Sequence, residues 1–105
     1  MFADVHANVR FASDKMRKNN LFTTDRLFCD LYCFEAGQAQ APHSHAGSDK
    51  IYFIIDGTAR VRVGAEEREA STGTAVLAPA GALHTITNLG LGRLVVLVVM
   101  APKPV

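Results

Sequence analysis

Short stretches of alternating or fully apolar residues, separated by turn residues, run through most of the chain. Leu27 to Glu35 alternates with the two-residue period of a strand. Lys50 to Asp56 is rich in β-branched and aromatic residues, and Gly57 follows it as a turn. Ala59-Arg60-Val61-Arg62-Val63 places its arginines on one face and its apolar residues on the other. Gly64 to Glu67 reads as a hairpin turn, with Arg68 to Ala70 pairing back. Thr74 to Leu77, Leu83 to Thr87 and Arg93 to Met100 supply three more strands, and Gly37 to Pro42 reads as a loop. Helical periodicity is almost absent. Many short strands at close spacing predict an all-β sandwich or barrel over residues 27–105. The first 26 residues carry the weakest pattern. Lys15 to Asn20 is expected in solvent, and segment 1–26 is expected to pack on the barrel or on a partner subunit.

Two strands are apolar on both faces. In one, Tyr52 and Ile54 point opposite to Ile51, Phe53 and Ile55. The other lies in the longest apolar run, Leu94 to Ala101, which is far too short to span a membrane. One face of each fills the barrel, so the other needs cover. A second subunit or the N-terminal segment is the expected cover, and a homodimer is expected with these outer faces as its candidate interface.

The chain has 105 residues, which is one domain. Its net charge of +1 offers no basic stripe for nucleic acid and no polybasic membrane patch. Met1 to His6 lacks the basic start and apolar core of a secretion signal, so a cytoplasmic location is expected. Cys29 and Cys33 lie four residues apart on one predicted strand, roughly 13 Å from each other. A disulfide needs Cα atoms within about 7 Å. They therefore read as two small apolar thiols on one face.

Of the four histidines, His6 has no partner pattern and reads as exposed. His43 and His45 are two apart, which puts both on one face of a strand. His84 follows much later, on another predicted strand after Pro79-Ala80-Gly81. A His-x-His pair by itself also fits imidazoles that only pack or hydrogen-bond. Three imidazoles converging inside a barrel would make an open metal site, since three protein ligands leave positions free.

The residues around these histidines form two spaced blocks. The first runs from Gly37 through Pro42, His43 and His45 to Asp49-Lys50 and Gly57. The second comprises Gly73, Pro79, Gly81, His84 and Asn88. Together they resemble the two motifs of the cupin superfamily over roughly residues 27 to 101. The second block matches at every defining position, the first at all but one. The resemblance implies a single-domain double-stranded β-helix, or jelly-roll barrel. It also implies a divalent metal such as Zn, Fe, Ni or Mn on His43, His45 and His84, and a small-molecule ligand.

The departure is Lys50. Cupins that bind metal usually carry a glutamate there as a fourth ligand. Asp49, the nearest carboxylate, should face the opposite way in a regular strand. A cation at an inward, normally anionic position points to an anionic ligand whose carboxylate or enolate Lys50 would pair. Lys50 and Tyr52 are the candidate catalytic residues. Phe34, Ile86, Leu97 and Met100 are further candidates to face inward beside Tyr52. The resemblance implies dioxygenase- or isomerase-like chemistry. A non-catalytic ligand-binding barrel, with or without metal, is the alternative.

Overall fold

The computed structural model describes residues 1–104. Among them run strands β1 (Arg17–Thr23), β2 (Phe28–Phe34), β3 (Ala39–His43), β4 (Asp49–Asp56), β5 (Thr58–Val63), β6 (Glu66–Ser71), β7 (Ala75–Ala78), β8 (His84–Thr87) and β9 (Leu94–Ala101). They pair antiparallel into two sheets, β1-β2-β9-β4-β7 and β3-β8-β5-β6. The two sheets face each other as the all-β sandwich expected from the pattern.

The alternation along each strand decides what lies between the sheets. Tyr32 and Phe34 of β2, Tyr52 and Ile54 of β4, and Leu94, Val96 and Val98 of β9 all point inward. They meet Ala59, Val61 and Ile86 from the second sheet. Val61 is buried while Arg62 is exposed, as the β5 pattern predicts. Leu97 is a correction. It lies on the other side of β9, opposite Leu31 and Phe53 in the ladder, and packs in a separate outer cluster. An unbroken apolar run carries no period, so nothing in the sequence sets the parity of β9.

That outer cluster contains Leu31, Cys33 and Val95, covered by Val5, Val9, Phe11 and Leu21 from the N-terminal segment. The rest of the outer face lies open. A row of apolar side chains crosses all five strands there: Phe22, Cys29, Val99, Ile51 and Leu77. Ile51 is 45% exposed and Leu77 57%. Both cysteines sit on this face as free thiols.

Three boundaries differ from the pattern. Arg17–Thr23 is a strand, where Lys15 to Asn20 reads as a solvated stretch. Its side chains are mostly exposed, so no apolar alternation marks it. Residues 39–43 form β3 rather than a loop, because pairing to β8 satisfies a backbone whose small and polar side chains give no β signal. Glu66 and Glu67 belong to β6, and the β5–β6 turn is only Gly64-Ala65, with Val63 paired to Glu66. Gly64 has φ +58, as the first central residue of a two-residue II′ hairpin turn requires.

Candidate metal centre

Three elements bring the histidines together. β3 and β8 pair through Ala39–Thr87 and Gln40–Ile86, and then the register shifts so that His43 lies opposite His84. The shift falls at Ala41-Pro42. Proline has no N–H to donate to a ladder, so it sits where pairing is interrupted. Without the extra residue, Pro42 would oppose His84. The bulge thus places the His43 ring 4.2 Å from the His84 ring.

His45 arrives differently from the sequence expectation. β3 ends at His43, so His45 stands in the following loop and not two residues along a strand. The loop is tied down by its backbone. The Gly81 N–H donates to the His45 carbonyl at 2.8 Å, and the Ala80 N–H donates to Asp49 Oδ1 at 2.8 Å. Asp49 is therefore occupied in holding the Pro79–Gly81 turn and faces away from the histidines. These bonds leave the His45 ring 5.0 Å from His43 and 5.8 Å from His84. One ring nitrogen from each of His43, His45 and His84 lies within 4.8 Å of the other two.

The protonation pattern follows from the carbonyls. His43 Nδ1 donates to the Ala41 carbonyl at 2.8 Å, and His84 Nδ1 donates to the Ala82 carbonyl at 2.9 Å. A carbonyl only accepts, so each Nε2 carries the ring's lone pair, which in His43 accepts from Lys50 and in His84 has no partner. A backbone carbonyl on the second ring nitrogen is the usual support of a metal-binding imidazole. His84 is 2% exposed, and its Nε2 is a buried polar atom with no hydrogen-bond partner. Leaving such an atom unpaired costs about 1–3 kcal/mol unless something occupies the site. Burial, above all, keeps all three rings neutral: His43 is pushed down to about 4, and His45 and His84 are lowered as well. Neutral imidazoles with inward lone pairs fit a divalent ion.

Lys50 is 1% exposed and points into the same site. Its Nζ donates to His43 Nε2 at 3.3 Å and lies 5.4 Å from the Tyr32 ring and 5.3 Å from the Tyr52 ring. Burial, joined by the nearby Lys18 charge, pulls its ammonium down to about 8. Tyr52 is fully buried, and its hydroxyl donates to Gln40 Oε1 at 3.2 Å. Burial raises the Tyr52 phenol far above its usual range, so it remains an O–H donor.

A cleft of about 930 Å³ opens over this group, with Tyr32, Gln40, His43, His45, Lys50 and Met100 among its walls. Tyr32 and Gln40 were not singled out from sequence. For Tyr32 the available signal was its parity with Phe34, which does not separate cleft from core, and Gln40 lay in a stretch that reads as a loop and carried none. Met100 reaches the cleft as expected, whereas Phe34 and Ile86 lie in the core between the sheets. His6 is exposed and outside the cluster. Asn88 is buried and serves as a tie: its amide donates to the carbonyls of Phe34 and Gly92, at 3.2 and 2.9 Å.

Two facing sheets with three clustered histidines match a known pattern, and a family model of the cupin domain aligns with residues 30–100. The chain belongs to the cupin family. A Streptomyces coelicolor protein of uncharacterized function is 36% identical over 72 residues, covering 69% of this cupin and 67% of that protein. The crystal structure of TT1209 from Thermus thermophilus superposes with a TM-score of 0.96 at 42% identity, over 98% of each chain. KdgF from a Halomonas species shares the fold at 22% identity, with a TM-score of 0.85 over 98% of this cupin and 93% of that chain.

Proposed function

We propose that this cupin holds a divalent metal ion on His43, His45 and His84 and acts on a small anionic organic molecule bound beside it. The observation that carries this reading is His84 Nε2, a buried lone pair left without a partner where three neutral imidazoles converge. Three neutral ligands leave the charge of a divalent ion uncompensated, so an anion is the natural further ligand. When bound, the ion would polarise a carbonyl or carboxylate oxygen as a Lewis acid. Lys50 would pair the developing negative charge and, with its ammonium near 8, hand over or take up a proton close to neutral pH. Tyr52 would hold Gln40 in place at the cleft wall. Of the dioxygenase- and isomerase-like chemistries, the isomerase-like one draws support from Lys50, because proton transfer is what isomerisation needs.

A second reading has its own observation. The Lys50 ammonium sits on the His43 lone pair that a metal would take. In that reading the barrel binds its anion through Lys50 without metal and without turnover. Elemental analysis of protein purified without tag or chelator separates the two. Stoichiometric metal that disappears in His84→Ala supports the metal reading. Metal-free protein that still binds carboxylates supports the second.

We also propose that a second copy of the chain covers the open apolar row on the outer face of the larger sheet. Support comes from Phe22, Cys29, Val99, Ile51 and Leu77 forming one continuous line across five strands.

A further inference from the structure

The mouth of the cleft is rich in cations. Lys15, Lys18 and Lys50 line it, against the carboxylate of Asp14. None of these three basic groups is in an ion pair among the described residues. The whole chain carries only +1, so this surplus is local and not a property of the surface at large.

Two of these cations lie close to one aromatic ring. In the β1–β2 ladder Lys18 lies opposite Tyr32, and its Nζ stands 5.4 Å from the Tyr32 ring centroid. The Lys50 Nζ stands 5.4 Å from the same centroid. The two ammonium groups are therefore no further apart than twice that distance. Lys18 is exposed at the rim and Lys50 is buried at the floor. Lys18 is carried on a paired strand, so its position is set by the sheet and not by a loose tail. Asp30, on the same face of β2, accepts a hydrogen bond from Asn20 Nδ2 at 2.8 Å, and its negative charge favours the Lys50 ammonium and so offsets part of the Lys18 repulsion.

We infer that the ligand of this cleft carries two anionic groups, one paired by Lys50 at the floor and the other by Lys18 at the mouth. The inference rests on the proposal above that the cleft takes an anion, and adds the second charge and the residue that reads it. A monoanion would neutralise one ammonium and leave the other repelling its neighbour. A short dicarboxylate would pair with both.

The test compares succinate with butyrate, which share four carbons and differ by one carboxylate. Calorimetric titration of the full-length protein is expected to show succinate binding about tenfold tighter, the scale of one charge-assisted hydrogen bond. Lys18→Gln should reduce that preference to less than about threefold, with butyrate affinity and metal content unchanged. Arg68→Gln, on β6 and outside the cleft, should leave the preference intact. Equal affinities in the wild type, no binding of either anion, or an unchanged preference in Lys18→Gln would each overturn the inference. Metal content measured on the same samples separates the two levels. Metal retained without a dianion preference defeats only this inference, whereas a Lys18-dependent preference in protein that takes up no metal defeats only the metal reading.

Discussion

At the scale of single residues, the site is governed by what burial does to charge. His43, His45 and His84 are kept neutral largely by desolvation, which readies them as ligands but leaves the His84 lone pair unmatched. Removing the His84 ring should lower divalent-metal affinity by at least about 100-fold, since losing even a group that only orients a ligand costs about 10- to 100-fold. Titration of wild type and His84→Ala with zinc checks this. Lys50 gives a pH signature in metal-free protein. Its folded value of about 8 lies below its ordinary 10.5, so between those limits the unfolded chain holds a proton that the native chain does not. Stability should therefore rise as pH goes from about 8 to 10.5. Urea midpoints should show that rise in wild type and not in Lys50→Met. The sense is the same for His43: stability should be lost as pH falls from 6.5 toward about 4, because the unfolded ring protonates first.

At the scale of elements, turns and registers aim the side chains. Gly57 closes the β4–β5 turn at φ +100, and an added Cβ would stand 2.6 Å from the Arg93 carbonyl oxygen. That oxygen belongs to backbone leading into β9 and cannot swing aside. Gly57→Ala should cost about 1–3 kcal/mol in equilibrium unfolding, from the strained φ and the displaced chain together. The N-terminal cover behaves as a real packing element. Leu31 is fully buried beneath Val5, Val9, Phe11 and Leu21, so Leu31→Ala should destabilise by about 2–5 kcal/mol in the same measurement. The β3 bulge at Ala41-Pro42 is the element on which the histidine cluster depends, because it sets His43 opposite His84.

At the scale of the whole molecule, the two faces of the larger sheet have different fates. Its inner face packs on the second sheet, while its outer face is only partly covered by the N-terminal segment. If a second copy completes that cover, Ile51→Glu and Leu77→Glu should each shift the protein from dimer to monomer in sedimentation velocity. A wild type that sediments as a monomer would refute the interface. The cleft opens away from that row, beneath residues of β1, β2, β3 and β4, so these substitutions should leave anion binding intact.

Residue order alone determined the strand-rich architecture, because a two-residue period and turn glycines act within a few positions of each other. It also singled out His43, His45, His84 and the misfit Lys50, because motif spacing survives without coordinates. Contacts between distant segments decided the rest. Only the folded sheets could show that Leu97 faces outward, since an unbroken apolar run has no parity. Nor could sequence reveal that Arg17–Thr23 is a strand delivering Lys18 to the cleft, since an edge strand with exposed side chains is recognisable by its partner's backbone and not by its own pattern. The same holds for the convergence of the imidazoles, where a one-residue bulge, invisible in composition, sets the geometry.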